Sequence, residues 1–178
     1  MRTIKFLLVG LTVLVATNLF AQKSDSKKEA DKASVSVGVE VGLPIGDLKQ
    51  TSSIGIGGSV KAAIPVFDGG AFTLSAGYMT FSGKTVDILG QSFKFGSLGM
   101  IPIKAGLRFV ISEGFYGEPQ LGYTLYSGSG NSGAFTYAAN LGFMVNNSVD
   151  ISARYEAASK NSSTISFIGA RIAYSFGM

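Results

Sequence analysis

The sequence has no cysteine, no histidine, no tryptophan and only four prolines among 178 residues. The first two absences exclude thiol nucleophiles, disulfides, Ser-His-Asp triads and zinc sites with nitrogen or sulfur ligands. Charge is scarce as well: 15% of residues are charged, against roughly 25% in soluble domains. Hydrophobic residues make up 46%, and mean hydropathy is +0.33. Beyond residue 22, however, no apolar run approaches the roughly 20 residues that a membrane-spanning helix needs. A chain this apolar without such a helix points to strands, and at this length to one domain built from them.

The first 22 residues are set aside as a targeting segment. Arg2 and Lys5 precede an apolar run of eleven residues, 6–16, too short to cross a bilayer and of the length of a signal-peptide core. Residues 1–22 are therefore expected to be a signal peptide, with cleavage at Ala21, and no lipidation cysteine follows. Its removal leaves 13 basic and 11 acidic residues, so the mature charge is close to balance. Residues 23–33 hold four lysines and three acids and read as a disordered charged leader. The other basic residues are scattered without a stripe or interleaved aromatics, which gives nucleic-acid binding no support.

From Ser34 to the end the hydrophobic period is two, as in strands with one apolar face. Val35, Val37, Val39, Val41 and Leu43 alternate with Ser36, Gly38, Glu40 and Gly42. The same pattern places Phe72, Leu74, Ala76 and Tyr78 opposite Thr73, Ser75 and Gly77. It recurs through eight segments, ending with Ile168, Ala170, Ile172, Tyr174 and Phe176. The connections form an independent pattern: 44–53, 82–97, 127–132 and 158–163 are long or moderate, while 67–70, 110–114 and 146–148 are short. That alternation matches outer-membrane barrels, in which short periplasmic turns face longer external loops. The expected fold is all-β, an eight-stranded antiparallel up-and-down transmembrane β-barrel over residues 34–178, with both termini periplasmic.

Volume decides which face is inside. An eight-stranded barrel is just wide enough for side chains to fill, and four to six bulky apolar residues per strand would not fit. Turned outward they form a lipid-facing band with Leu141 near mid-depth. Tyr78, Phe109, Phe115, Tyr123, Tyr155, Tyr174 and Phe176 then lie near strand ends as aromatic girdles. A soluble secreted ligand-binding barrel is the alternative, distinguished by solubility without detergent.

The inward face then carries Lys61, Lys104, Arg108, Arg154 and Arg171 against Glu40, Glu118, Asp150 and Glu156. Near balance is what burial demands, because an unpaired charge in a narrow bore is costly. An internal ion-pair network plugging the lumen is expected, with Arg108 and Arg154 fixed by Glu118, Asp150 or Glu156. No catalytic, cofactor-binding or metal-ligating residues are identified. Gly128-Ser-Gly-Asn-Ser-Gly133 matches a dinucleotide fingerprint in letters only, because it precedes a strand instead of opening a helix.

Three segments carry a family likeness. They are Ile101-Pro-Ile-Lys-Ala-Gly-Leu-Arg-Phe109, Phe115-Tyr-Gly-Glu-Pro-Gln-Leu-Gly-Tyr123 and Val39-Glu-Val-Gly-Leu-Pro-Ile-Gly-Asp47. With them the mature chain resembles small bacterial outer-membrane β-barrels of the PorT-like and OmpA-like kind. Gly169, Ile172, Tyr174 and Phe176 resemble the terminal assembly signal of such barrels, although the chain ends Gly177-Met178 in place of an aromatic. The resemblance implies outer-membrane lipid and the barrel-assembly machinery as partners. A non-enzymatic monomer is expected, with a structural or surface-interaction role and an unidentified surface or periplasmic protein partner. The alternative is an accessory barrel of a secretion or transport machine. The small-barrel lipid enzymes that share this architecture rely on histidine, which this chain lacks.

Overall fold

The structure, a computed structural model, describes residues 33–88, 91–127, 133–146 and 148–177. The expected signal peptide and residues 23–32 of the leader lie outside the described residues, as does the loop 128–132. Eight strands close the barrel: β1 (Ser34–Ile45), β2 (Ser52–Phe67), β3 (Gly70–Gly83), β6 (Leu98–Ser112), β7 (Phe115–Ser127), β8 (Gly133–Met144), β9 (Val149–Lys160) and β10 (Ser163–Gly177). Each pairs antiparallel with its neighbours in chain order, and β1 closes onto β10 from Ser34↔Gly177 to Ile45↔Ser166. Ser34 and Gly177 therefore lie at the end of the barrel that carries the short turns.

The strands run 12 to 16 residues, beyond the 9–11 that a tilted strand uses to cross hydrocarbon. Two connections at the loop end differ from the sequence expectation. Residues 82–97 do not form an open loop, since β4 (Thr85–Ile88) and β5 (Gln91–Lys94) pair as a hairpin. Phe81 faces Leu98 and Thr85 faces Lys94, so one register runs from the barrel wall into the hairpin. The Phe95 N–H donates to the Lys84 carbonyl between them, at 2.8 Å. The second difference is at 158–163, where β9 and β10 continue to a two-residue turn. Asn161 and Ser162 take φ of 48° and 65°, the left-handed pair of a type I′ hairpin. Strict alternation of long and short connections thus fails at this one point.

A short helix, α1 (Leu48–Thr51), joins β1 to β2 and turns Leu48 into the barrel mouth, where it is buried. Lys84, within the connection expected to be a long loop, ties that helix down. Its Nζ donates to the Lys49 carbonyl at 2.6 Å and its N–H to the Thr51 carbonyl at 2.9 Å. At the opposite end, Gly69 and Gly114 make tight turns with φ of 75° and 77°, a conformation that costs glycine nothing. Pro65 supplies no ladder donor, and the β2–β3 register shifts between Pro65 and Phe67.

Candidate functional site: the charged bore

Alternate side chains of every barrel strand point into the bore, and polarity there is inverted relative to a soluble domain. Val39, Leu121 and Leu141 are 69%, 59% and 67% exposed on the outer face, whereas Glu118 and Glu156 are each 1% exposed inside. The aromatics expected at the girdles are all exposed. Near the turns they pair, Phe115 with Phe143 at 4.5 Å between ring centroids and Tyr174 with Phe176 at 4.9 Å.

All nine charged side chains assigned inward lie inside the barrel and group around the four carboxylates. Glu118 on β7 receives Lys61 on one oxygen and Arg108 on the other, each at 2.9 Å. Thr73 and Gln120 also donate to it, at 3.2 and 2.6 Å. Glu40 on β1 is held by both terminal nitrogens of Arg154, at 3.1 and 2.5 Å, the fork geometry that makes Arg–carboxylate pairs strong. Ser59 donates to the same carboxylate at 2.5 Å, and Arg171 stands 3.6 Å away. Glu156 meets Lys104 and, at 3.0 Å, the Arg154 Nε. Asp150 accepts the Tyr116 hydroxyl at 2.7 Å and lies 3.7 Å from Arg171. Arg154 thus bridges Glu156, as expected, and Glu40, which sequence reasoning did not name as its partner.

Two clusters result, one of Lys61, Arg108 and Glu118, the other of Glu40, Asp150, Glu156, Lys104, Arg154 and Arg171. Tyr116 connects them. Its hydroxyl holds Asp150 while the Arg108 guanidinium lies 4.0 Å from the centre of its ring, within cation–π range. Gly142 on the facing strand makes room for that ring, since a Cβ there would collide with it. Two residues before Glu118, Tyr116 shares its inward parity on β7.

Above the charges the bore is apolar, which sequence reasoning missed. Leu48, Met79, Phe81, Met100, Ala134, Ala158 and Phe167 form one buried cluster at the loop end. The Phe81 and Phe167 rings stand 5.2 Å apart. Within the charged layer, a cavity of about 10 Å³ is bordered by Glu40, Lys61, Lys104, Gln120, Asn140 and Arg154 among others. Among the described residues no group of three or more carboxylates could hold a metal ion.

The closed eight-stranded fold is shared with a set of solved structures. Ail of Yersinia pestis in a phospholipid bilayer nanodisc has a TM-score of 0.57 at 18% identity, over 82% of this chain and 99% of that one. The N-terminal barrel domain of OprF from Pseudomonas aeruginosa has a TM-score of 0.56 at 12% identity, over 80% and 97%. The fold is that of the small outer-membrane barrels. A designed protein, TMB2.3, reaches a TM-score of 0.54 at 18% identity, over 83% and 97%. Small outer-membrane barrels therefore share this backbone with little shared sequence, and no family model and no curated protein matches the chain.

Proposed function

We propose that this chain is a monomeric, non-enzymatic outer-membrane barrel with an occluded bore, serving the envelope as a structural element and meeting surface partners through its loop end. The inverted burial carries the reading. A soluble protein rarely exposes apolar patches beyond a few hundred Å², whereas here every one of the eight strands turns large apolar residues outward. In water such a surface would drive aggregation, and in hydrocarbon it is the stable choice. The end with the short turns and both strand termini is read as periplasmic, and the end with α1 and the β4–β5 hairpin as external. The hairpin presents Phe93 and Phe95, 52% and 42% exposed, and offers a surface to such partners.

Occlusion is supported from two levels. The ion-paired middle leaves a cavity of about 10 Å³, close to the space of one water molecule, and the apolar cluster covers it from the loop side. Each bore carboxylate is engaged by at least one cationic side chain, which supports a structural role for these groups over a catalytic one.

Two measurements test the reading. Unboiled protein is expected to migrate differently from boiled protein in detergent gels; identical migration together with solubility in plain buffer would overturn the membrane assignment. In planar bilayers the folded protein is expected to give no steady conductance, and large, long-lived channels would show the bore to be open.

A further inference from the structure

The bore carries five cationic side chains and four carboxylates among the described residues. Six of these nine pair off evenly around Glu40, Asp150 and Glu156, so the surplus positive charge falls on the group in which Glu118 serves both Lys61 and Arg108. The two lysines are also short of acceptors. Each ammonium has three protons to donate, yet among the described residues Lys61 reaches only Glu118 and Lys104 only Glu156. Both are at least 95% buried, where unsatisfied donors and unpaired charge are costly.

The topology brings these deficits to one place. Lys61 on β2 pairs with Ser75 on β3, and Ser75 pairs with Lys104 on β6. The lysines therefore flank Ser75 in a single cross-strand row, their backbones roughly 10 Å apart at the usual strand spacing. Both lysines line the cavity of about 10 Å³, together with Arg154, Gln120 and Asn140, the last two with their amides already donating to Glu118. Glu40 is the one carboxylate on its wall, and its oxygens are already engaged by Arg154, Ser59 and Arg171. A water molecule there could accept protons but would leave the charge unbalanced. A small anion does both.

We propose that the cavity between Lys61 and Lys104 is a binding site for one monovalent anion, chloride in physiological salt, with the flexible lysine stems adjusting to its radius. The proposal rests on the occluded bore and not on the membrane assignment, so the salt and bromide tests below are read separately from the gel and conductance results. In detergent, the melting temperature of the folded protein is measured in sodium chloride and in sodium gluconate of equal ionic strength. Chloride is expected to raise it saturably by about 3 °C. Lys61→Met, which leaves four cations to four carboxylates, is expected to abolish that difference. Crystals of the unaltered protein soaked in bromide should show an anomalous peak between the two lysines, which keeps the test intact if the variant fails to fold. Equal melting temperatures in the two salts and no bromide peak would overturn the proposal.

Discussion

Arg154→Ala is expected to destabilise the folded barrel by about 3–5 kcal/mol, the range seen when one partner of a buried ion pair is removed. The reason is that Arg154 serves two carboxylates on different strands, Glu40 through both terminal nitrogens and Glu156 through Nε. Its loss leaves Glu40 with the Ser59 hydroxyl and a more distant Arg171. Urea unfolding in micelles or bilayers gives the number, with exposed Lys160→Ala as a control expected to change little. Adding Glu40→Gln to Arg154→Ala should restore part of the loss, because it removes the orphaned charge; the double-mutant cycle isolates that coupling. A silent Arg154→Ala would mean that water screens the bore, contrary to its occlusion.

A charge on the outer face should be nearly as damaging, with a dependence on depth. Leu121 sits at the middle of β7, 59% exposed, between Ala105 and Tyr137. Leu121→Arg is expected to cost about 2–4 kcal/mol, the range for arginine at the midplane of a barrel's lipid face. Leu141, expected at mid-depth from the sequence, lies one outward position from Phe143, which stacks on Phe115 beside the turn. Leu141→Arg should therefore cost less, toward about 1 kcal/mol, as the side chain snorkels to the interface. Equal, negligible costs at both depths in bilayer unfolding would contradict a lipid-facing exterior.

The period of two made the barrel legible, because one repeated choice of face fixes which side chains of every strand turn inward. The nine bore charges were legible for the same reason. What escaped depended on where the alternation was cut. Extending the inward series Thr73, Ser75 and Gly77 by two steps reaches Met79 and Phe81, and extending Gly169 backwards reaches Phe167. These positions belong to the apolar cluster, but an apolar residue on an inward position contradicts the polar-bore pattern and looks like the end of a strand. Leu48 had no such signal, since it enters on a helical turn of four residues. Nor did the partner of each charge. The Glu40–Arg154 contact spans 114 positions and follows from barrel closure and stagger, neither of which hydropathy encodes. The turn at Asn161 and Ser162 was readable in principle from asparagine's tolerance of left-handed backbone, but the polar residues around it resemble a longer loop.

The range of these contacts has a consequence for assembly. Arg171 on the final strand donates to Ser36 on the first across 135 positions, and Glu40 finds Arg154 only once β1 and β9 are both beside β10. A nascent sheet of seven strands would carry its ionised groups along an open, unclosed surface with no counterpart to meet. Contacts between such distant residues are slow to form, and here the last pairing neutralises groups contributed by the first. Insertion should therefore be close to all-or-none, and a chain truncated before β10 should remain unable to enter a bilayer, however apolar its remaining strands.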